Sequence, residues 1–286
     1  MTPKGSIIGG LSLIVIIVYL FVTAPLPLQE NQKIGKLISI TQVFETLNEE
    51  NRIVRRLYTK DIVGAGEKNG LRFDEDWRDA AVEAGPLPAQ FLRATAMSLE
   101  RSKVRLGLYL GSDYPINSAN KFSGEQLLKF HELRKTGNPQ FFFVNDVKLY
   151  SYMFADMAIA KPCVQCHNDH QDTPKSDWQL NDMMGATTWT YPGQAVTFDE
   201  YFEIMLALRK AFKAAYAAYL DKVSTFKNPP DIGEKWPQQG YYLPSLAVFS
   251  QAIEQQASVK TLRAISNVVA EKLYYAPSSS STHQAK

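Results

Sequence analysis

Cys163-Val164-Gln165-Cys166-His167-Asn168-Asp169-His170 holds the only two cysteines of a 286-residue chain. Cys-x-x-Cys-His is the spacing used for covalent attachment of a c-type haem. Each thiol can add to one vinyl group of the porphyrin, and the adjacent His167 is carried beneath the ring, where it can ligate the iron. Three other readings compete. A structural disulfide would leave His167 without a role, and a thioredoxin-like pair wants a compact redox domain of alternating strands and helices. A zinc site wants further thiols or a Cys/His cluster at finger spacing. The motif therefore predicts one covalent haem c, with Cys163 and Cys166 as thioethers and His167 as proximal axial ligand.

Haem attachment of this kind belongs outside the cytoplasm, and the start of the chain agrees. Lys4 and Glu30 bracket an uncharged stretch in which Ile7 to Ala24 is apolar. At about 1.5 Å per residue that run spans roughly 27 Å, enough for a bilayer core. Pro25 and Pro27 stop the helix. Val22-Thr23-Ala24 resembles a signal-peptidase site, but Pro25 after it disfavours cleavage and the run is long for a signal core. The expectation is an uncleaved anchor, residues 1–28, crossing the inner (cytoplasmic) membrane once through residues 7–24. Lys4 points the bulk of the chain into the periplasm.

Composition adds limits. The hydrophobic fraction of 45% allows a real core, and 31 basic against 29 acidic residues give a net charge of +2. Nothing there favours a nucleic-acid partner. No catalytic constellation accompanies the haem motif, so no enzymatic activity is expected.

In chain order, apolar residues at intervals of three and four predict a helix over about 31–60, and Gly64, Gly66 and Gly70 read as a loop. Gly85-Pro86-Leu87-Pro88 introduces a helix over 89–101. Arg105 to Leu110 reads as a strand, and Ser123 with Gln126 has capping-box spacing for a helix to Arg134. Phe141–Val144 and Lys148–Tyr152 flank Asn145-Asp146 as a hairpin whose second strand continues towards the haem motif. Gly185 to Tyr191 is a further strand. This pattern gives an α+β class, an antiparallel sheet with flanking helices.

Several stretches together resemble a known family. They are Leu57-Tyr58-Thr59-Lys60-Asp61-Ile62-Val63, Leu71-Arg72-Phe73, Pro86-Leu87-Pro88-Ala89-Gln90-Phe91-Leu92, Ser112-Asp113-Tyr114-Pro115-Ile116-Asn117, the haem motif itself, Asp172–Trp178 and Asp182-Met183-Met184-Gly185. In this order they resemble the exported c-type haem domain with a PAS-like fold, which occurs alone in cyanobacteria and as the sensor half of bacterial cyclases, kinases and chemoreceptors. The resemblance covers about residues 40–192 and implies a single haem in a PAS-like pocket that senses redox state or a small ligand. Two departures stand out. Some members take a cysteine as second axial ligand, and this chain has no third cysteine. Sensor members continue into a second membrane helix and an output domain, neither of which is read here.

The haem domain is thus expected over 29–192 and a helical extension over 193–276, with a disordered tail over 277–286. Thr197 and Glu200 make a capping box for a helix to about Phe226. In that helix Arg209, Lys210 and Lys213 would each cost about 3 kcal/mol at a bilayer centre. Shorter helices are expected over 245–256 and 258–275. The extension is either a layer packed on the haem domain or a docking surface, residues 197–275, for a second copy or for another membrane or periplasmic protein. For the second axial ligand the candidates are Met153, Met157, Met97 and His131, with Met183 and Met184 behind them; singly, a methionine is more often core filler. His170 follows His167 too closely to reach the opposite face of the ring. Function divides between a redox or small-ligand sensing or accessory subunit and an electron-transfer cytochrome tethered to a membrane complex.

Overall fold

The computed structural model describes residues 37–238, 240–258 and 261. The anchor expected at 1–28, the tail at 277–286 and most of the helix expected over 258–275 lie outside these residues. Among the described residues no helix is long and apolar enough to cross a membrane.

The chain is mixed α+β. Ile38–Ser39 (β1) opens it, and Ser39 caps a helix over Ile40–Arg56 (α1) by accepting the Gln42 N–H. The sequence expected one helix from residue 31, but β1 pairs antiparallel with Ala195–Val196 (β8), which holds residues 38 and 39 extended. Nor do the glycines end the helix. It continues through a π-helical stretch, Leu57–Val63, into Gly64–Glu67 (α2), where Gly66 gives the space taken by the Leu71 and Phe73 side chains. Phe73–Asp74 (β2) and Gly85–Pro86 (β3) form a two-residue parallel pair that leads into Pro88–Glu100 (α3). Pro88 sits in the first turn, where its missing N–H costs nothing.

The sheet follows: Gly107–Gly111 (β4), Gln140–Val144 (β5), Leu149–Met157 (β6) and Met183–Tyr191 (β7), in the order β4-β7-β6-β5 with every neighbour antiparallel. The expected hairpin is present, with Val144 opposite Leu149. Side chains alternate between the two faces. Leu108, Phe154 and Trp189 face a large core shared with α1 and α3, whereas Phe142, Met153 and Ala186 face a smaller core with Phe122, Phe130 and Leu133. The last two residues belong to Gly124–Thr136 (α4), which ends at Gly137 in the left-handed conformation (φ 72°). Ser123 precedes α4, but its side chain makes no capping bond, so the expected capping box does not form there.

Lys161–Asp169 (α5) carries the cysteine motif. After β7, the capping box at Thr197 is complete: Glu200 N–H donates to its hydroxyl at 3.2 Å and Thr197 N–H to the Glu200 carboxylate at 2.7 Å. It opens Phe198–Val223 (α6), followed by Ile232–Gly233 (β9), Leu243–Pro244 (β10) and a helix over 246–258 (α7). One apolar core runs across residue 193. It joins Val54, Tyr58 and Phe91 to Leu208, Phe212, Tyr216 and Phe249.

Candidate functional site

Pro162 in the first turn and an extended Ala160 start α5 directly after β6. Helical spacing puts Cys163, Cys166 and His167 at i, i+3 and i+4, on one face. Both cysteines are free thiols, Cys163 half-buried and Cys166 exposed. Cys163 and Val164 pack against a small cluster of Ala158, Trp178 and Met184. The Cys166 thiol is pushed above its ordinary range by partial burial, then by the negative charge of Glu75.

His167 is half-buried, and its Nδ1 is buried without a hydrogen-bond partner. Burial first, and the neighbouring His170 second, push its pKa down, so the ring is neutral and its nitrogen lone pair is free to bind a metal. His170, by contrast, is fully engaged. Its Nδ1 accepts the Asp172 N–H at 3.0 Å, and its Nε2 faces Glu75 Oε1 at 2.7 Å. Accepting at Nδ1 puts the proton on Nε2, which donates to Glu75. That bond ties the end of α5 to the segment after β2.

The segment after α5 is fixed by Asn168. Its amide nitrogen donates to Trp178 O at 3.0 Å, and its oxygen accepts the Trp178 N–H at 2.9 Å. Trp178 then lines a cleft of about 460 Å³ with Tyr114, Arg134, Met157, Lys175, Asn181, Asp182 and Met183. The Lys175 ammonium lies 4.6 Å above the Trp178 ring, and Tyr114 meets that ring edge-on at 6.4 Å. Arg134 donates to Asp113 through Nη1 and, at 2.8 Å, through Nη2. Burial alone would raise the Asp113 pKa, but the Arg134 guanidinium holds it below the usual carboxylate value.

Of the candidate second ligands, Met157 and Met183 line this cleft. Met153 is buried among Phe122, Phe130 and Phe142, as core filler. Met97 is exposed on α3, and Met184 packs on Trp178 and Ala158. His131 is exposed on α4, with Nε2 3.9 Å from Asp113 Oδ2. Glu75 and Arg134 escaped the sequence because their partners lie elsewhere in the chain, and Asn168 stood there only as part of the haem motif. Trp178 was visible only as part of a resembling motif.

No group of three His, Cys, Asp or Glu side chains that could hold a bare metal ion occurs among the described residues. What α5 offers instead is two thiols and one neutral imidazole on a single face. Those residues fit a metal delivered inside a covalently attached ring.

The Tll0287-like family model matches residues 36–192, and the chain belongs to that family of cyanobacterial and bacterial haem-binding PAS-like proteins. No curated protein and no solved structure matches the chain.

Proposed function

We propose that this protein is a membrane-anchored, periplasm-facing monohaem c-type protein that acts as a redox or small-ligand sensing or accessory subunit through a partner protein. The observation that carries the reading is the shared face of Cys163, Cys166 and His167 on α5, with both thiols free and the His167 ring unpartnered. The thiols would hold a haem c as thioethers and His167 would be its proximal ligand. The haem would supply a redox-active iron with a second axial position for a methionine, water or a small ligand. Met157 is the protein ligand favoured here for that position, and its place with Met183 in the cleft beside Trp178, which packs near Cys163, supports that choice. The four-stranded antiparallel sheet with α4 on one face and the helical layer on the other supports a PAS-like description of residues 36–192.

The membrane is reached through residues 7–24, and a partner, either another membrane or periplasmic protein or a second copy, through residues 197–275. Phe202 and Leu206 stand exposed on α6 within that range. An electron-transfer cytochrome is the second reading. It draws on the exposure of Cys166, through which an attached haem would be open to a redox partner. Absorption spectra of the detergent-extracted protein, reduced with and without carbon monoxide, test the choice. Carbon monoxide binding to the reduced iron fits small-ligand sensing; a six-coordinate iron that carbon monoxide does not perturb overturns small-ligand sensing, and with a midpoint potential matching quinol-side carriers it favours electron transfer.

A further inference from the structure

The Tyr58 hydroxyl donates to Pro86 O at 2.7 Å, and its ring stacks on Phe91 at 4.2 Å. The Tyr216 hydroxyl donates to Pro244 O at 2.8 Å, and its ring stacks on Phe249 at 4.1 Å. Donor and acceptor are 28 residues apart in both cases. All three residue pairs, Tyr58/Tyr216, Pro86/Pro244 and Phe91/Phe249, are related by the same offset of 158 positions. That offset also relates the two helix caps, Ser39 before α1 and Thr197 before α6. The intervening segments agree as well. Phe73-Asp74-Glu75-Asp76-Trp77 and Ile232-Gly233-Glu234-Lys235-Trp236 align after a one-residue shift, and each starts a two-residue parallel pair, β2–β3 and β9–β10.

The two units also meet as equivalents across an approximate twofold axis. Ile38 pairs with Val196, its own counterpart, and Phe91 meets Phe249 edge-on at 6.2 Å. The inner positions Val43, Leu47, Val54 and Leu57 of the first unit and Tyr201, Met205, Phe212 and Ala215 of the second are all buried. Residues 196–258 therefore repeat residues 38–100, with the sheet and α5 inserted between the copies.

One contact breaks the symmetry. Glu50 is 1% exposed and accepts from Arg209 Nε at 3.0 Å and Nη2 at 2.6 Å. Their counterparts under the offset are Leu208 and Asn51. Two first units docked together would bury Glu50 against Asn51 without a cation. Two second units would bury Arg209 against Leu208. Both are penalised as unpaired buried charge, and only the unlike pairing satisfies it.

We propose that the α1–α3 layer is a docking surface for a second copy of its own kind, that residues 196–258 are that copy carried in the same chain, and that Glu50 and Arg209 select the unlike pairing. The partner this surface fits is the residue 196–258 layer, from the same chain or from a second molecule of it. Because the seat is filled from within, the native chain does not exchange this layer between molecules. Forcing the charges apart within one chain makes it do so, since exchange of identical elements is a low-cost route to a dimer.

The test uses the full-length protein with Glu50→Arg, Arg209→Glu and both together. Each single variant places like charges together and loses thermal stability; the double variant restores the pair and recovers a melting temperature near the native one. When the two single variants, differently tagged, are co-expressed, each accepts the other's 196–258 layer, and they co-purify one to one with recovered stability. Two differently tagged native chains set the baseline, which the mixed pair of single variants exceeds. The proposal is overturned by single variants as stable as the native chain, by a double variant that does not recover, or by single variants that never co-purify while the double variant does recover.

Discussion

Phe91→Ala should be among the most damaging single changes in the helical layer. Its ring is 1% exposed and has three aromatic neighbours: Tyr58 stacked at 4.2 Å, Phe212 parallel at 6.3 Å and Phe249 edge-on at 6.2 Å. Truncating a buried Phe costs about 3–5 kcal/mol, and each aromatic pair accounts for about 0.5–1.5 kcal/mol beyond simple burial. With three pairs lost, the upper part of that range, about 4–5 kcal/mol, is expected. For a domain of this size about 1 kcal/mol lowers the melting temperature by roughly 2–4 °C, so a loss of about 8–20 °C follows. Far-ultraviolet circular dichroism melts of the detergent-extracted protein measure it. Leu128→Ala, at a side chain 69% exposed on α4, should stay within about 0.5 kcal/mol of the native protein. A Phe91→Ala loss below about 2 °C would refute the account of a single core shared by α1, α3 and α6.

Two further outcomes are expected. Asp113 has a depressed pKa in the folded chain, so its contribution is complete above the unfolded value of about 3.9 and is lost as pH falls through the folded one. Arg134→Leu should therefore lower stability at neutral pH and flatten its decline below about pH 4; parallel acid-unfolding curves for variant and native protein contradict this. Residues 7–24 should keep the protein in the membrane fraction through high-salt washing, and a mature N-terminus at Pro25 or later would show that the segment is cleaved.

The β5–β6 hairpin was legible because its signal is local: two apolar runs around Asn145-Asp146. The capping box at Thr197 was legible for the same reason. What escaped the sequence depends on distant partners. Ser39 is extended rather than helical because β8, some 150 residues later, pairs with it. Gly64 and Gly66 look like breakers, yet packing of Leu71 and Phe73 against Gly66 keeps the chain helical there. Arg209 was read as a charge that forbids a membrane span; in the fold its role is to neutralise Glu50 across two helices. Likewise Met153 and Met157, four residues apart on one strand, have different fates. One is buried under α4, and the other lines the cleft by Trp178 where β6 meets β7 through a register shift.

The central claim is the covalent haem, and the most direct test is the mass of the denatured polypeptide from the native host. Denatured chain should carry the mass of one haem and keep its Soret absorbance through acid-acetone extraction. Cys163→Ala or Cys166→Ala should weaken that attachment, and His167→Ala should change the iron's spin state. A polypeptide of bare mass, with all haem released into the acetone, would contradict the account.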